Sequence, residues 1–363
     1  MMSSIFELYK TEEGQDQLQG IFSYAAQKHP LSLGASFLEK DLWVTEILRL
    51  LFDEGFLRPY SVAFKGGTSL SKCWNVIERF SEDIDLSIHW AELAGHSEEK
   101  EQEAWEASTR SRSQNQRFRN QQQARLEEWT VELVEKLNQR FQSYGISGLE
   151  ARLEAESRGE KVDIFFPRVH ADAAAYQRDH ILLEFGGRNR GKPTDTITVN
   201  SYLSEIKELG ELELPSATVQ AYNPGYIIWE KITALHQFCT QEKELNAERL
   251  SRHWYDVDCL LLHQFADLYD TKEAMHNVIE MKQQRWTFPG VDYTLVAKGE
   301  LRLVPEDAGR LAAIAEDHRI AIEGGMFFRE PDRFDKIIER LQQVQDEFNR
   351  AMKKGMEPDT FNC

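Results

Sequence analysis

The sequence has few cysteines and no long apolar run. Its four cysteines lie far apart, without a CxxC pair or a Cys/His cluster: they are Cys73, Cys239, Cys259 and Cys363. This spacing argues against a cysteine zinc site and against a disulfide scaffold, so a reducing compartment is expected. No stretch approaches the roughly 18 apolar residues of a membrane-spanning helix, and the N-terminus lacks the basic flank and apolar core of a signal peptide. We therefore expect a soluble, cytoplasmic protein that has no membrane partner.

Basic residues are in the minority. The 363 residues include 43 lysines and arginines against 61 aspartates and glutamates, which gives a formal net charge of −18. A chain this acidic does not hold nucleic acid through a general positive field, so metal ions or a basic partner suit it more easily. Its length suggests two domains, or one domain with a large extension.

One segment departs from this acidic average. No acidic residue lies between Ala107 and Leu126, whereas five arginines do: Arg110, Arg112, Arg117, Arg119 and Arg125. This local inversion of charge is the clearest surface for an RNA acceptor. The alternative is a flexible, solvated linker, which the polar composition of the segment also fits.

The spacing of apolar residues predicts helices and strands in a mixed order. SFLEKDLWVTEILRLLFDEG predicts an amphipathic helix, with Ser36 as its N-cap and Glu39 completing a capping box. A strand, a helix and a second strand follow, as SVAF, SLSKCWNVIERF and DIDLSI. The segments LEARLEAES, KVDIFFPRV and HILLEFGG then predict three consecutive antiparallel strands.

The character of the chain becomes helical beyond about Tyr202. The strongest helical patterns there are GYIIWEKITALHQFCTQ, RLSRHWYDVDCLLLHQF and DRFDKIIERLQQVQDEFNRAM. We place the domain boundary near Asn200, which gives domains of 1–200 and 201–363. The expected fold class is α+β, a small mixed β-sheet with helices followed by a mainly helical C-terminal domain.

Two aspartates mark the end of the stretch FKGGTSLSKCWNVIERFSEDIDLSI. Asp83 and Asp85 are two residues apart on a predicted strand, so their carboxylates face the same side, about 6.5–7 Å apart along the chain. Two close carboxylates repel each other unless a cation lies between them. Hard oxygen ligands in this arrangement suit Mg²⁺, or Mn²⁺ in its place. A DxD pair alone is more often a solvated strand edge.

Two glycines and two hydroxyl residues open the same stretch. Gly66 and Gly67 allow a sharp turn with uncovered backbone N–H groups, while Thr68 and Ser69 begin the next helix and Lys72 lies one turn later. Such a turn is a place where phosphate binds. A glycine pair alone usually marks only a turn, but a glycine turn and a DxD pair in one unit indicate a site for a metal–nucleoside triphosphate.

The stretch KGGTSLSKCWNVIERFSEDIDL resembles motif one of the polymerase-β nucleotidyltransferase superfamily. The form with GGTSLSK followed by RFSEDIDL resembles the AbiEii/AbiGii-type toxins, the enzymatic halves of type IV toxin–antitoxin and phage-defence pairs. Further segments match in order, namely LEKDLWVT, ILLEF, WEKITALH and RHWYDVDCLL. The resemblance implies a magnesium-dependent toxin that transfers NMP from an NTP to RNA, with tRNA 3′ ends as the leading acceptor class and an antitoxin as partner.

The resemblance also points to three further site residues. It implies a third carboxylate at Glu184, for which Asp163 is the competitor, and a phosphate-contacting cation at Lys231 in a helical domain that completes the nucleotide site. It places Asp256 in the active site, where it would position Lys231 or the nucleotide. From the residues alone, Lys231 fits a side chain that extends to solvent, and Asp256 fits an ion pair with Arg252 one helical turn away.

Two residues that flank the motif and two rival functions stay open. Lys65 and Arg79 fit either salt bridges or substrate contacts. A second enzymatic function is transfer of NMP to a protein hydroxyl, which the acidic charge slightly favours. A third is a catalytically silent nucleotide-binding partner, against which the intact Asp83 and Asp85 pair argues.

Overall fold

The computed structural model describes residues 3–170, 178–187, 193–263, 271–285 and 287–354. The chain forms two compact units. The first, called the sheet unit, consists of Met1–Cys73 and Phe80–Tyr222. The second, called the helical unit, consists of Trp74–Arg79 and Asn223–Cys363.

The sheet unit is built on a mixed β-sheet of seven strands. The strands of the unit are β1 Ser3–Ser4, β2 Val62–Lys65, β3 Ile84–Ile88, β4 Glu150–Leu153, β5 Lys161–Phe165, β6 Ile181–Gly186, β7 Thr194–Asn200, β8 Leu212–Glu213 and β9 Ser216–Tyr222. The order in the large sheet is β4-β5-β6-β3-β2-β9-β7, and β1 pairs with β8 alone. Within the large sheet, β3 is parallel to β6 and β2 is parallel to β9, whereas the other four pairs are antiparallel; β1 and β8 are parallel to each other. The predicted antiparallel run of β4, β5 and β6 is confirmed.

One strand of the large sheet, β9, lies beyond the predicted domain boundary. β7 and β9 pair along their whole lengths, and β9 also joins β2. The helical character expected from about Tyr202 was wrong for β9, whose alternate residues Ala217, Val219 and Ala221 are buried. Because this pairing ties β9 into the sheet, the sheet unit ends at Tyr222 instead of near Asn200.

Helices surround the sheet and make up the body of the helical unit. Those of the sheet unit are α1 Glu12–Lys28, α2 Ala35–Phe52, α3 Gly66–Lys72, α4 Trp90–Leu93, α5 Glu101–Thr109 and α6 Arg112–Tyr144. Those of the helical unit are α7 Pro224–Thr240, α8 Arg252–Leu262, α9 Thr271–Arg285, α10 Thr294–Ala297, α11 Ala308–Glu323 and α12 Phe334–Lys353. The predicted α+β fold class is confirmed. No helix in the described part of the chain combines the length and apolar character needed to cross a bilayer.

The start of α2 differs from the prediction. The helix begins at Ala35 with Gly34 as its N-cap, so the predicted capping box of Ser36 and Glu39 does not form. Glu39 is buried instead, where it accepts hydrogen bonds from the Tyr9 hydroxyl and from two backbone N–H groups. The Glu39 side chain, which local spacing assigned to a capping box, therefore makes tertiary contacts instead.

The helix predicted from Ser69 to Phe80 is also shorter than expected, because α3 ends at Lys72. Asn75 has a φ of +50°, which a helix does not continue through. The next residues belong to the helical unit, where the Glu78 N–H donates to the Tyr255 hydroxyl at 3.1 Å and the Glu78 carbonyl accepts from the Phe328 N–H at 2.9 Å. These contacts take the place of another helical turn.

The arginine-rich segment forms a helix and is not a linker. Most of it lies in α6, whose 33 residues extend about 50 Å and begin after the N-cap Ser111. Trp129 of α6 packs edge-on against Phe185 with ring centroids 5.2 Å apart. Phe185 follows Glu184 on β6, so the two side chains point to opposite faces. α6 therefore covers the sheet face opposite to Glu184.

Candidate active site

The turn between β2 and α3 brings the backbone against a carboxylate. Gly66 has a φ of +77°, and a Cβ on it would lie 1.8 Å from Oδ2 of Asp85. Glycine is therefore required both for the backbone conformation and for the close approach. Gly67, Thr68 and Ser69 follow in the first turn of α3 and are buried.

A row of charged residues crosses four neighbouring strands beside this turn. Lys65, Asp85, Glu184 and Lys161 are successive Cα partners on β2, β3, β6 and β5. Partners in adjacent strands share a face and are about 4.8 Å apart. The row thus places two carboxylates side by side, flanked by two lysines, and the Lys161 Nζ lies 3.8 Å from Glu184 Oε1.

The register favours Glu184 over Asp163 as the third carboxylate. Glu184 is the direct neighbour of Asp85, whereas Asp163 lies on β5, one strand further away. Asp163 is also close to another side chain, since its Oδ1 is 3.2 Å from Nε2 of His180. We therefore retain Glu184 in the candidate site.

Asp83 lies immediately before β3 and is 9% exposed. Its Oδ1 is buried and has no hydrogen-bond partner among the residues that the structure describes. The Asp83 carbonyl accepts a hydrogen bond from the Thr68 hydroxyl, which also lies 3.0 Å from the Ser81 hydroxyl. Thr68 therefore holds the loop that carries Asp83, and the unpaired carboxylate oxygen is costly unless a ligand satisfies it.

The donor set fits a hard divalent cation that keeps part of its shell open. Asp83 and Asp85, two residues apart at the start of β3, offer carboxylate oxygens, the ligand type that Mg²⁺ prefers. No group of three His, Cys, Asp or Glu side chains arranged to hold a metal occurs within the described ranges. Water and substrate phosphates would complete such a site, as is usual for Mg²⁺.

The two remaining candidates of α3 have different surroundings. The Ser69 hydroxyl is buried beside the thiol of Cys73, whose pKa is raised to about 12 by burial, with the hydroxyl opposing that shift. Lys72 is buried in an ion pair with Asp41, donates to the Asn200 carbonyl at 3.0 Å and lies 4.4 Å from the centre of the Tyr202 ring. The Lys72 ammonium is thus already held by protein groups.

The helical unit contains a separate buried cluster around Asp256. Arg79 donates from Nε to Asp256 Oδ1 at 2.7 Å and from Nη2 to Oδ2 at 2.8 Å. Lys231 Nζ donates to Oδ2 at 2.7 Å. The partners of Asp256 are therefore Arg79 and Lys231, where the sequence had suggested Arg252. Arg79 is one of the two residues, with Lys65, whose role the sequence left open, and an arginine between the apolar residues Ile77 and Phe80 was its only signal.

The two cations keep Asp256 ionised inside the protein. Burial alone would raise the pKa of Asp256, but the charges of Arg79 and Lys231 outweigh it and hold this pKa well below its usual range. The cluster carries one net positive charge. The Asp256 carboxylate also fixes the position of the Lys231 ammonium through their hydrogen bond.

Replacing Asp256 with asparagine should destabilise the helical unit by about 3–5 kcal/mol, because it removes one charge of the buried ion pair with Arg79. The folded pKa of Asp256 lies below its unfolded value, so its contribution is complete above about pH 4 and is lost as the pH falls further. Urea unfolding at several pH values should show a smaller acid-dependent loss in Asp256→Asn than in the wild type. Asp335→Asn, in an exposed ion pair with Arg333, is the control and should cost less than about 1 kcal/mol. Equal costs for the two variants would contradict the assigned role.

Comparison with known proteins adds the family to this geometry. Residues 49–340, more than half of the chain, match the family described as nucleotidyl transferase AbiEii toxin, type IV TA system. The structure is also similar to MenT4, a nucleotidyltransferase toxin from Mycobacterium tuberculosis H37Rv, with a TM-score of 0.45, 15% identity, and coverage of 92% of this chain and 99% of that chain. No curated protein matches the sequence. Family membership implies an NTP substrate, a divalent metal ion and an antitoxin partner. The chain belongs to the AbiEii family of nucleotidyltransferase toxins of type IV toxin–antitoxin systems.

Proposed function

We propose that this nucleotidyltransferase transfers NMP from a magnesium-bound NTP to a hydroxyl of RNA, with tRNA as the leading acceptor class, in a toxin–antitoxin or phage-defence pair. The observation that carries the proposal is the strand register that puts Glu184 beside Asp85. The glycine turn against Asp85 and the unpaired buried oxygen of Asp83 support it.

Each group of the sheet unit has a role in this proposal. Asp83 and Asp85 would hold Mg²⁺, or Mn²⁺ in its place, and the bound ion supplies positive charge that stabilises the reacting phosphate. The backbone of Gly66 and Gly67, with the Ser69 hydroxyl, binds the terminal phosphates. Thr68 positions the loop of Asp83. We assign Lys72 a structural role and not a contact with the nucleotide, because its ammonium is paired with Asp41.

The reaction is a substitution at the α-phosphorus. The oxygen of the acceptor hydroxyl forms a bond to the α-phosphorus, and the bond from that phosphorus to the oxygen bridging to the β-phosphate breaks. Pyrophosphate leaves with the electron pair of the broken bond. Glu184, the carboxylate next to Asp85, accepts the proton of the attacking hydroxyl as general base.

The family resemblance implies a further role for Lys231 and Asp256 of the helical unit. Asp256 accepts a hydrogen bond from the Lys231 ammonium at 2.7 Å and keeps the ammonium oriented. Contact between Lys231 and the NTP phosphates, which the family resemblance implies, stays a prediction.

The position of the arginines bears on the acceptor. The arginines of α6 belong to the helix that covers the sheet face opposite to Glu184. They therefore suit the body of a structured RNA better than its reacting end. A large folded RNA such as tRNA has enough length to reach from one face to the other, which favours it over a short oligonucleotide.

Incubation with each labelled NTP, Mg²⁺ and either total RNA or total protein tests the proposed function. We expect label in the tRNA fraction and release of pyrophosphate. Label in protein alone would identify a protein hydroxyl as the acceptor. Binding of NTP without transfer to either fraction would identify a catalytically silent nucleotide-binding protein and overturn the proposal.

Replacing the five arginines with glutamine should weaken RNA binding and flatten its salt dependence, because fewer counterions are released when fewer arginines meet phosphate. The changed residues are Arg110, Arg112, Arg117, Arg119 and Arg125. Each lost phosphate contact lowers the slope of log affinity against log salt by about 0.7–0.9. Affinity for total tRNA at several salt concentrations measures this effect, while NTP affinity should be unchanged.

The control for this variant removes the same charge from the helical unit. Five exposed basic residues there serve the purpose: Arg302, Arg319, Arg329, Arg333 and Lys336. Replacing these five residues with glutamine makes the same change in net charge, but at a distance along the chain from α6. Equal salt slopes for the two variants would mean that the loss reflects net charge and that α6 is not the RNA surface.

A further inference from the structure

Three consecutive charged residues on α2 are almost completely buried. Glu39, Lys40 and Asp41 are 1%, 2% and 4% exposed. Successive helical residues point about 100° apart, so the three side chains enter different surroundings. Burying a charge is costly unless it is paired and hydrogen-bonded, and each of the three has such partners.

Lys40 is paired with the residue that precedes Asp83. Its Nζ lies 2.6 Å from Glu82 Oε2 and also donates to the Arg178 carbonyl at 2.8 Å. The other oxygen of Glu82 accepts the Arg178 N–H at 3.1 Å. Burial lowers the pKa of Lys40, and the carboxylate of Glu82 opposes that shift. The backbone next to Asp83 is thus attached to α2 by a buried ion pair.

Asp41 is paired with the last residue of α3. One carboxylate oxygen accepts from the Lys72 ammonium, and the other accepts from the Tyr202 N–H at 2.7 Å. Lys72 and Asp41 are both almost fully buried. The end of the helix that begins at the glycine turn is therefore attached to the same short segment of α2.

We infer that Lys40 and Asp41 are positioning residues for nucleotide transfer. Through Glu82 and Lys72 they hold the two parts of the motif, the loop with Asp83 and the helix that follows the glycine turn. Neighbouring positions on one rigid helix then set the spacing between the metal ligands and the phosphate-binding turn. The inference rests on the proposed function, because that function makes Asp83 a metal ligand.

The test separates positioning from stability with one pair of substitutions. Lys40→Met removes one charge of the buried ion pair with Glu82, so the melting temperature should fall. Glu82→Gln removes the other charge. The double variant removes both charges of the pair, so the melting temperature should return toward the wild-type value.

Metal binding should behave differently from stability. We expect Mn²⁺ affinity, measured by electron paramagnetic resonance with MnCl₂, to be at least about tenfold weaker in Lys40→Met and to stay weak in the double variant. The kcat of transfer should fall in parallel, while the KM for NTP changes little. Arg340→Met, which breaks the ion pair with Asp258 in the helical unit, is the control. It should lower the melting temperature without changing Mn²⁺ affinity.

Two outcomes would overturn the inference. One is wild-type Mn²⁺ affinity in Lys40→Met, and the other is recovery of both Mn²⁺ affinity and melting temperature in the double variant, which would make the pair purely structural. Failure of the proposed function has a different signature. In that case the wild-type protein binds Mn²⁺ but transfers NMP to no RNA.

Discussion

Replacing Asp83 or Asp85 with asparagine is expected to reduce nucleotide transfer by about a thousandfold or more while the fold stays intact. A neutral amide is a poor ligand for Mg²⁺, and a bound ion is worth several kcal/mol of charge stabilisation in the transition state. The two positions are not equivalent in their surroundings. Asp83 has a buried oxygen without a partner among the described residues, whereas Asp85 lies against Gly66.

Single-turnover transfer with purified protein measures this loss, and circular dichroism confirms the fold. Asp163→Asn is the matched control, since Asp163 shares the sheet face of Asp85 and Glu184 but lies on β5. Glu184→Gln should resemble the two aspartate variants, because it removes the proposed general base. If Asp163→Asn loses as much activity as Glu184→Gln, the choice of Glu184 over Asp163 as the third carboxylate of the site is wrong. If host growth arrest survives both aspartate changes, the nucleotidyltransferase mechanism itself is wrong.

Replacing Gly66 with alanine is expected to reduce transfer by about a hundredfold, the order of loss that a displacement of 1 Å produces. The new Cβ would lie 1.8 Å from Oδ2 and 2.5 Å from Cγ of Asp85, so the carboxylate must move. The backbone change adds strain of its own, because Gly66 has a φ of +77°.

Gly148→Ala separates these two effects. Gly148 has a φ of +82°, and a Cβ there would meet nothing within 4 Å. Gly148→Ala should therefore introduce the same backbone strain, about 1–2 kcal/mol, without displacing a carboxylate. We expect a lower melting temperature in both variants and loss of transfer and of Mn²⁺ affinity in Gly66→Ala alone. Equal activity in the two variants would show that the approach of Asp85 to the turn has no role in catalysis.

Local patterns in the sequence were sufficient for much of the sheet unit. Period-two alternation predicted β3 through Ile84, Leu86 and Ile88, and it predicted the antiparallel run from β4 to β6. These patterns work because a half-buried strand must alternate its apolar residues. The same logic failed at β9, where Ala217, Val219 and Ala221 are small apolar residues in a segment that reads as the approach to a helix.

Long-range contacts account for the other differences. The helical pattern from Ser69 to Phe80 is interrupted at Asn75 because the residues after it make hydrogen bonds in the helical unit. Glu39 fits a capping box by its spacing, yet it is buried against the Tyr9 hydroxyl. Local spacing cannot report such contacts, since the partners lie far away along the chain.

The sequence by itself determined the family to which the chain belongs and indicated the candidate residues of its site. The glycine turn and the Asp83 and Asp85 pair lie within one short stretch, so the sequence alone could indicate them together as one candidate site. Only the tertiary structure decided what surrounds them. The parallel pairing of β3 with β6 puts Glu184 beside Asp85, and burial joins Arg79 to Asp256 across 177 residues. Strand register and buried ion pairs form between distant segments, because desolvation and pairing act on whatever the folded chain brings together.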